Sequence, residues 1–527
     1  MPTRGPERPS EREARPSGAP GDAFRRRLGE ILALDPGAPA VEFGSHWNTW
    51  GDVSTTVDAV ARTFDALSLE PGELVGVLLR NRPASIGMLL GVLRAGGCVV
   101  VLNPQLGSQR VSDEVTDLGL RLIIGEPTDL EHSLTIEQRS KWSSLAFAEL
   151  GSAGELTVGS EHPPAHVRPD TAIRLLTSGT TGPPKRVDLT FETFVRVLEG
   201  AKHYETQRPT DVRLREGVVI VNSPFVHLGG LFRVLQSVMD GRRISLLERF
   251  TVDEWVDRVR RHRPKTASLV PTALRMVLDA DLDPADLASL KSVISGTAPL
   301  SPETAEAFTE KYGVAVLTNY AATEFGGGVA GWNLADHQRY WSSKRGSVGR
   351  AHPGCALRVV DETSGAVLEP GQVGLLEVRA DQLADHGWVR TTDLARLDED
   401  GFLWIVGRAD QTILRGGLKV QPDTVRSALE RHPAVRAASV VGIDDDRLGQ
   451  VPVAIVEPTG AATVDKADLL AFASQFLARY EIPVDVVFVE KMPRTESAKV
   501  DLRAVRALAS ASIAQTPEAA PPARAKR

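Results

Sequence analysis

Apolar positions recur every three to four residues over 24–34 and again over 53–67, which predicts two amphipathic helices. Short, mostly apolar runs at 74–79, 98–102 and 120–124 have the length of buried strands, and helical patterns at 84–93 and 112–118 separate them. Helices alternating with such strands predict βαβ units on a parallel sheet, an α/β fold. Residues 126–169 are polar without a sustained period and read as an irregular connection. The mostly apolar run 173–176 and the alternating segment 186–191 are expected to be strands joined by the loop 177–185, with a helical pattern from Glu192.

The alternation continues. A strand at 216–221 ends in Asn222-Ser223-Pro224-Phe225-Val226-His227-Leu228-Gly229-Gly230, and a strand at 266–270 is followed by a helix at 271–278. A strand at 290–294 runs into Ser295-Gly296-Thr297-Ala298-Pro299-Leu300-Ser301 and a helix ending at Tyr312. Another at 314–318 leads into Asn319-Tyr320-Ala321-Ala322-Thr323-Glu324. Strands that end in small or polar residues fit a ligand cleft beyond the carboxyl ends of an open sheet. From Gly346 the pattern turns to short strands, at 357–360 and 375–378, then a segment 388–393 and a hairpin arm at 401–406: a separate β-rich lobe. A strand at 413–418, a helix at 422–430, strands at 437–442 and 451–457, a helix at 466–477 and a strand at 484–488 make a small α+β domain.

Composition narrows the class. At 527 residues the chain exceeds one ordinary core, so two or more domains are expected. Its 42% hydrophobic and 24% charged residues are those of a soluble globular protein, and a formal charge of −7 leaves no basic footprint for nucleic acid. Cys98 and Cys355 are the only cysteines, which argues against a disulfide framework or a cysteine metal site. The most apolar stretch, 84–102, is broken by Arg94 and Gly96-Gly97; it reads as a buried helix running into a strand, not a membrane span. Residues 1–21 lack the apolar core of a secretory signal, and both they and the Ala/Pro-rich tail 510–527 are expected to be disordered. The protein reads as cytoplasmic.

The chemistry concentrates first in Thr177, Ser178, Gly179, Thr180, Thr181, Gly182 and Lys185. Glycines let backbone N–H groups approach an anion, hydroxyls add donors, and lysine supplies a point charge for phosphate. The segment is not a Walker A loop, which reads GxxxxGK[ST] and opens directly into a helix. Most Ser/Thr/Gly clusters are surface turns; the terminal lysine and the cleft segments that follow favour a phosphate loop. His227, after a strand and before glycines, can point into a cleft, although a histidine that packs or caps is the commoner case.

TSGTTGPPK, SGTAPLS at 295–301, YAATE at 320–324, TTD at 391–393 with GFLWIVGRADQ at 401–411, and PRTESAKVD at 493–501 occur in one order and spacing. Together they resemble the acyl-adenylate-forming superfamily: acyl- and aryl-CoA ligases, adenylation domains of peptide synthetases, and luciferases. The resemblance runs from about residue 24 to 508. It implies a large N-terminal adenylation domain over 22–409, binding ATP and the acid, and a small mobile C-terminal domain over 410–509. It implies that the 177–185 loop holds the β- and γ-phosphates of ATP. Tyr320, between Asn319 and Ala321, is similar to the ring that stacks on adenine, with Gly296, Thr297, Ala298 and Pro299 on the other side. Thr323 resembles the hydroxyl on the α-phosphate and Glu324 the carboxylate ligand of Mg²⁺, a hard cation wanting oxygen. Asp393 resembles the acceptor of the ribose hydroxyls, Arg408 the arginine at the domain junction, and Asp410 the hinge. Lys499 resembles the lysine that offsets charge developing as a carboxylate attacks the α-phosphate and pyrophosphate leaves. A solvated surface lysine is the commoner fate of an isolated Lys; the flanking PRTES and VD decide otherwise. His227 is implied to line or gate the acyl pocket, without base chemistry, because a carboxylate is already ionised near neutral pH.

Thr392, Ala321 and Ala498 stand where this superfamily commonly has glycine, and Arg426 replaces its common glutamate. Phe225 to Leu231 contains no acidic residue to pair with an α-amino group, which disfavours a free amino acid. Gly416 and Gly417 resemble the glycine turn bordering the pantetheine tunnel of CoA ligases. The implied reaction is therefore acid plus ATP giving acyl-AMP, then transfer to coenzyme A, with a rotation about Asp410 exchanging Lys499 for the Gly416 face. The implied partner is a small-molecule carboxylic acid, aromatic acids included. Alternative acceptors are a carrier protein or an amine, and relatives that activate nitrite for diazotisation are a further alternative. A nucleotide-binding regulator without turnover is the reading from another class; Lys499 and Glu324 argue against it.

Overall fold

The computed structural model describes residues 20–161, 167–168, 170–176, 186–201, 211–383, 387–460, 464–495 and 499–515. A seven-stranded sheet has the order Glu155–Thr157, Ser143–Ala146, Leu122–Gly125, Leu74–Leu78, Cys98–Leu102, Thr171–Leu176, Arg186–Thr190. Its inner strands are parallel and its two outermost pairs antiparallel. The strands at 74–78 and 98–102 are buried at every position, as strands covered on both faces must be. One covering layer pairs helix Trp50–Leu67 with helix Pro83–Ala95. The first starts in a capping box, Thr49 with Asp52, and buries Val53, Val57, Val60 and Phe64 at helical spacing. The second approaches it through Gly87 and Gly91, where a Cβ would come within 2.6 Å of Thr56 and of Val60.

A four-stranded sheet, Arg215–Val221, Arg242–Leu246, Pro39–Phe43 and His46–Thr49, lies in the same N-terminal region. A five-stranded sheet runs Thr266–Ser268, Ser292–Ser295, Ala315–Ala322, Gly327–Gly331, Arg350–Ala351. The β-rich lobe is an antiparallel sheet of Cys355–Val360, Val373–Ala380, Val389–Leu397 and Leu403–Arg408. The C-terminal domain carries Leu418–Val420, Ile413–Arg415, Gly449–Pro458 and Val435–Asp445, with Asp485–Phe488 added in parallel to Gly449–Pro458. The architecture is thus α/β with a large N-terminal part, a β-rich lobe and a small α+β C-terminal domain. No helix among the described residues is long and apolar enough to cross a membrane.

Several expectations are corrected. The segment 126–169 contains helices Pro127–Ser133 and Ile136–Lys141 and strands Ser143–Ala146 and Glu155–Thr157. These elements are too short to impose a visible period, yet they bury Leu130, Leu134, Trp142 and Leu145. Asn319 to Ala322 lie within the strand Ala315–Ala322, whose outer half pairs with Gly327–Gly331, so they are not a loop beyond it. Asp393 likewise sits inside a strand that continues to Leu397. The expected strand 413–418 is a hairpin, with Arg415 opposite Leu418 and a two-residue turn. Gly416 and Gly417 both have positive φ, 57° and 83°, the turn that glycine alone adopts without cost. The first helix is Pro20–Leu34, starting inside the segment expected to be disordered. At the other end, residues 510–515 are not disordered: helix Leu502–Gln515 continues through them. Its Val505 and Ala509 are buried with Ile513 packed beside them, an apolar stripe that the alanine-rich composition hid. Residues 1–19 and 516–527 lie outside the described residues.

Candidate active site

The 177–185 loop, with Thr177, Ser178, Gly179, Thr180, Thr181, Gly182 and Lys185, lies outside the described residues, as does Ala498. Its two supporting strands are described: Thr171–Leu176 and Arg186–Thr190 pair antiparallel, with Leu176 opposite Arg186 at the loop.

His227 is the N-cap of helix Leu228–Met239. The helix starts tightly against the preceding loop, because a Cβ at Gly230 would lie 2.2 Å from the Pro224 carbonyl oxygen; only glycine fits. That loop is fixed by Asn81, which the sequence pattern did not single out. Asn81 is buried, donates from Nδ2 to the carbonyls of Ser223 (3.0 Å) and Leu247 (3.2 Å), and accepts from the Phe225 N–H (2.9 Å). Its only sequence signal is an amide placed just after a buried strand.

Lys499 stands on the returning arm of a short loop. Arg494 and Val500 form an antiparallel bridge, and the Thr495 N–H donates to the Lys499 carbonyl at 2.7 Å. Its partly buried side chain lies within electrostatic reach of Glu324, which favours the charged form, and of Arg408, which opposes it; burial dominates and lowers the lysine pKa. Its charge also reaches His227, whose pKa burial and then the Lys499 charge lower to about 4. The imidazole is thus neutral near pH 7, and its Nε2 is buried without a hydrogen-bond partner. A residue of the C-terminal domain and two of the N-terminal domain therefore meet in one place.

Thr323 and Glu324 form a single 3₁₀ turn, Thr323–Phe325, continuing strand Ala315–Ala322; Glu324 is exposed. In the same strand, the Tyr320 hydroxyl donates to Asp393 Oδ2 and its ring leans on Phe325. Burial, then the Asp393 charge, raises the Tyr320 pKa, so the phenol stays protonated. Asp393 is opposite Arg408 in the next strand pair. Burial raises the Asp393 pKa against the Tyr320 hydrogen bond and the Arg408 charge. Arg408 is held by Asp410 at 2.7 and 2.9 Å and by the Thr392 hydroxyl at 2.8 Å. Thr392, a departure from the superfamily pattern, therefore supplies an acceptor that glycine lacks. The other departure, Arg426, pairs with Asp423 and Glu430.

Gly296, Thr297, Ala298 and Pro299 form the bend after strand Ser292–Ser295, beside Asn319: a Cβ at Gly296 would lie 3.1 Å from the Asn319 carbonyl. Thr297 has φ 72°, a left-handed conformation that costs a non-glycine residue about 1–3 kcal/mol and clusters at functional sites. Below it, the buried Ser295 hydroxyl has no hydrogen-bond partner. Ala321 is exposed and pairs with Gly328. Gly416 and Gly417 stand apart: among the described residues no hydrogen bond or ion pair joins them to Lys499, Glu324 or His227.

The buried Ser295 hydroxyl and His227 Nε2 each keep unused hydrogen-bonding capacity that a polar ligand could meet. Among the described residues no cluster of three or more His, Cys, Asp or Glu could hold a metal alone. Mg²⁺ needs no such cluster: it takes one or two carboxylates and completes its shell with substrate phosphates and water. Glu324, exposed beside Lys499, suits that demand.

Comparison with known proteins defines the class. The chain matches the AMP-binding enzyme model over residues 30–386 and the AMP-binding enzyme C-terminal domain model over 424–499. It is an adenylate-forming protein, an AMP-forming ligase using ATP and Mg²⁺. It belongs to the AMP-binding enzyme family. It is similar to a feruloyl-CoA synthase of Amycolatopsis sp., 29% identical over 492 residues, covering 89% of this chain and 95% of that one. It is also similar to 4-coumarate–CoA ligase 3 of Oryza sativa subsp. japonica, 27% identical over 495 residues and 88% of each chain. Among solved structures, the amide bond synthetase McbA from Marinactinospora thermotolerans aligns with a TM-score of 0.78 at 25% identity, covering 92% of this chain and 99% of that one.

Proposed function

We propose that this enzyme condenses a small-molecule carboxylic acid with ATP to acyl-AMP and pyrophosphate, then transfers the acyl group to the thiol of coenzyme A. In the first step a carboxylate oxygen bonds to the α-phosphorus and the bond to the bridging β-phosphate oxygen breaks. In the second, the thiol sulfur bonds to the acyl carbon, AMP leaves and the thiol proton is released. The observation that carries the reading is the meeting of Lys499 with Glu324 and His227. Lys499 offsets the negative charge that builds on the phosphates, and partial burial strengthens that effect. Glu324 would hold Mg²⁺, which supplies charge neutralisation along the phosphates when bound. Thr323 offers its hydroxyl to the α-phosphate; Asp393 and Tyr320 receive the ribose and adenine, and Arg408 closes the junction. His227, kept neutral, lines the acyl entrance without adding a second cation.

The aromatic acids in the names of the feruloyl and coumarate relatives support an aromatic substrate, and CoA as acceptor follows the same names. The cytoplasm, where ATP and CoA are both available, is the compartment this reading fits. The domains are read as 20–409 and 410–515, with Asp410 as the hinge. The test is ATP–pyrophosphate exchange over a panel of aromatic and aliphatic acids, followed by thioester analysis with CoA. Acid-dependent exchange and a CoA thioester are expected. Absence of exchange with every acid would remove the adenylation reading; exchange without a CoA thioester would move the acceptor to a carrier protein or an amine.

A further inference from the structure

The turn Thr323–Phe325, which presents Glu324, is closed by the Gly326 N–H donating to the Thr323 carbonyl at 3.0 Å. A 3₁₀ turn of that length has poor hydrogen-bond geometry and needs support from its surroundings. Two segments remote in sequence supply it. Gln382 is buried two residues past strand Val373–Ala380, and its Nε2 donates to the Phe325 carbonyl at 3.2 Å. Thr193, buried in helix Phe191–Ala201, packs against Gly326, where a Cβ would lie 2.4 Å from the Thr193 Cγ2 methyl group.

The two supports are joined to each other. The Thr193 hydroxyl donates to the Gln382 carbonyl at 3.0 Å, so toward the Thr190 hydroxyl, also at 3.0 Å, it is the acceptor. The Thr190 hydroxyl oxygen accepts from the Thr193 N–H at 3.0 Å. Thr190 ends strand Arg186–Thr190, whose other end carries the 177–185 loop. Gln382 Oε1 accepts from the Cys355 thiol, a weak donor, at 3.9 Å. A chain of hydrogen bonds therefore runs from the strand beneath that loop, through Thr193 and Gln382, to the backbone next to Glu324.

Glu324 is exposed, and among the described residues no hydrogen bond or ion pair holds its carboxylate. Its position is thus set by the backbone beneath it. Mg²⁺ demands near-ideal octahedral geometry, so a displaced carboxylate loses much of its value as a ligand. Groups that orient a metal ligand from behind commonly matter as much as 10- to 100-fold, roughly the effect expected of the amide under this turn.

We propose that Gln382 is a positioning residue that, anchored by Thr193, fixes the Phe325 carbonyl and so sets the Glu324 carboxylate to meet Mg²⁺ on the bound nucleotide. The inference rests on the adenylation reading above, in which Glu324 receives the metal.

The test removes the amide donor with Gln382→Met, which keeps the length of the side chain. The Mg²⁺ concentration for half-maximal ATP–pyrophosphate exchange is expected to rise about 10-fold, while the KM for the acid stays unchanged. Calorimetric titration of ATP without acid, in Mg²⁺ and in EDTA, gives a readout that needs no turnover. The factor by which Mg²⁺ tightens ATP binding should fall by about the same 10-fold, with the affinity in EDTA unchanged. Thr193→Val keeps the methyl group against Gly326 and loses the hydroxyl; it should move both readouts the same way by a smaller factor. Combining the two substitutions should add little to Gln382→Met alone, because they break one chain of bonds. Cys355→Ala leaves the Nε2 bond in place and should change neither readout. Should Gln382→Met fail to fold, Thr193→Val carries the same decision. An unchanged Mg²⁺ requirement in both variants, or an equal rise in the acid KM, makes Gln382 a structural residue and overturns the inference while leaving adenylation intact. If the wild-type enzyme exchanges with no acid, the adenylation reading falls, and the calorimetry alone decides: a reduced Mg²⁺ effect in Gln382→Met upholds the positioning role and an undiminished one overturns it.

Discussion

At the scale of single residues, the site depends on how burial divides charge between Lys499 and His227. Burial lowers the Lys499 pKa and the Glu324 charge partly offsets it; histidine loses its proton because both burial and the lysine oppose it. Lys499→Ala is expected to lower ATP–pyrophosphate exchange by about 10²–10³, the usual loss for one preorganised transition-state donor. Thioester formation from preformed acyl-AMP should stay within a few fold, because the proposed rotation about Asp410 withdraws Lys499 before AMP leaves and its phosphate takes up the charge. Equal loss in both half-reactions would reject the assignment. His227 makes a prediction of opposite character. Its folded pKa is depressed from 6.5 to about 4, so the unfolded chain takes up the proton first. Stability from this group is therefore intact above pH 6.5, declines as pH falls toward 4, and is reduced by up to about 3 kcal/mol below that. Chemical denaturation across this window should show a slope that flattens in His227→Gln; an unchanged slope would mean the imidazole is not held neutral. The types and spacing of Lys499, Glu324 and Asp393 were legible in the sequence because each sits in a distinctive short segment. The Thr392 hydroxyl read there only as a lost glycine, since its partner, Arg408, comes from an adjacent strand 16 residues away.

At the scale of elements, strands and helices with a sustained apolar period were legible, and those held by a few tertiary contacts were not. The helix 422–430 was read to the residue, because its start is marked by proline and its buried positions recur regularly. The 126–169 segment was misread because each of its elements is four to seven residues or shorter, and only the seven-stranded sheet gives Ser143–Ala146 a partner. Asn81 belongs to the same category: its role exists only once residues 142 and 166 positions away are brought beside it. Removing its amide leaves the Ser223 and Leu247 carbonyls and the Phe225 N–H without their partner. Asn81→Ala is therefore expected to cost about 1–3 kcal/mol of stability and to loosen the loop that sets His227. Urea denaturation measures the first effect. The second appears as a larger rise in KM for the acid than for ATP; equal changes in both would reduce Asn81 to a purely structural residue.

At the scale of the whole molecule, the arrangement that brings Lys499 to Glu324 is held by charged contacts between the C-terminal domain and the N-terminal region. Arg275, on helix Pro271–Asp279, donates to the Arg436 carbonyl at 2.8 Å and pairs with Glu430 at 3.0 Å. Nearby, Arg494 reaches Thr272 at 3.1 Å, and Lys419 pairs with Glu362 at 3.0 Å. Glu430 is the central acceptor, with its side chain only 6% exposed. Burial would raise its pKa, but Arg426 and Arg275 hold it below the ordinary value. The two arginines are not equivalent. Arg426, at 2.8 Å, and the Ala438 N–H, at 3.1 Å, belong to Glu430's own domain and remain if Arg275 is removed. Arg275→Met therefore breaks the contact between domains without leaving an unpaired buried carboxylate, whereas Glu430→Gln disturbs the smaller domain itself. If rotation about Asp410 must separate these surfaces for the second half-reaction, weakening them penalises the first step alone. Arg275→Met is expected to lower ATP–pyrophosphate exchange 3- to 10-fold, the scale of one partly exposed ion pair. Thioester formation from preformed acyl-AMP should be unchanged or faster, and the difference should shrink as salt screens the wild-type contact. A parallel fall in both half-reactions would show that Arg275 supports the fold, not the choice between two arrangements of the domains.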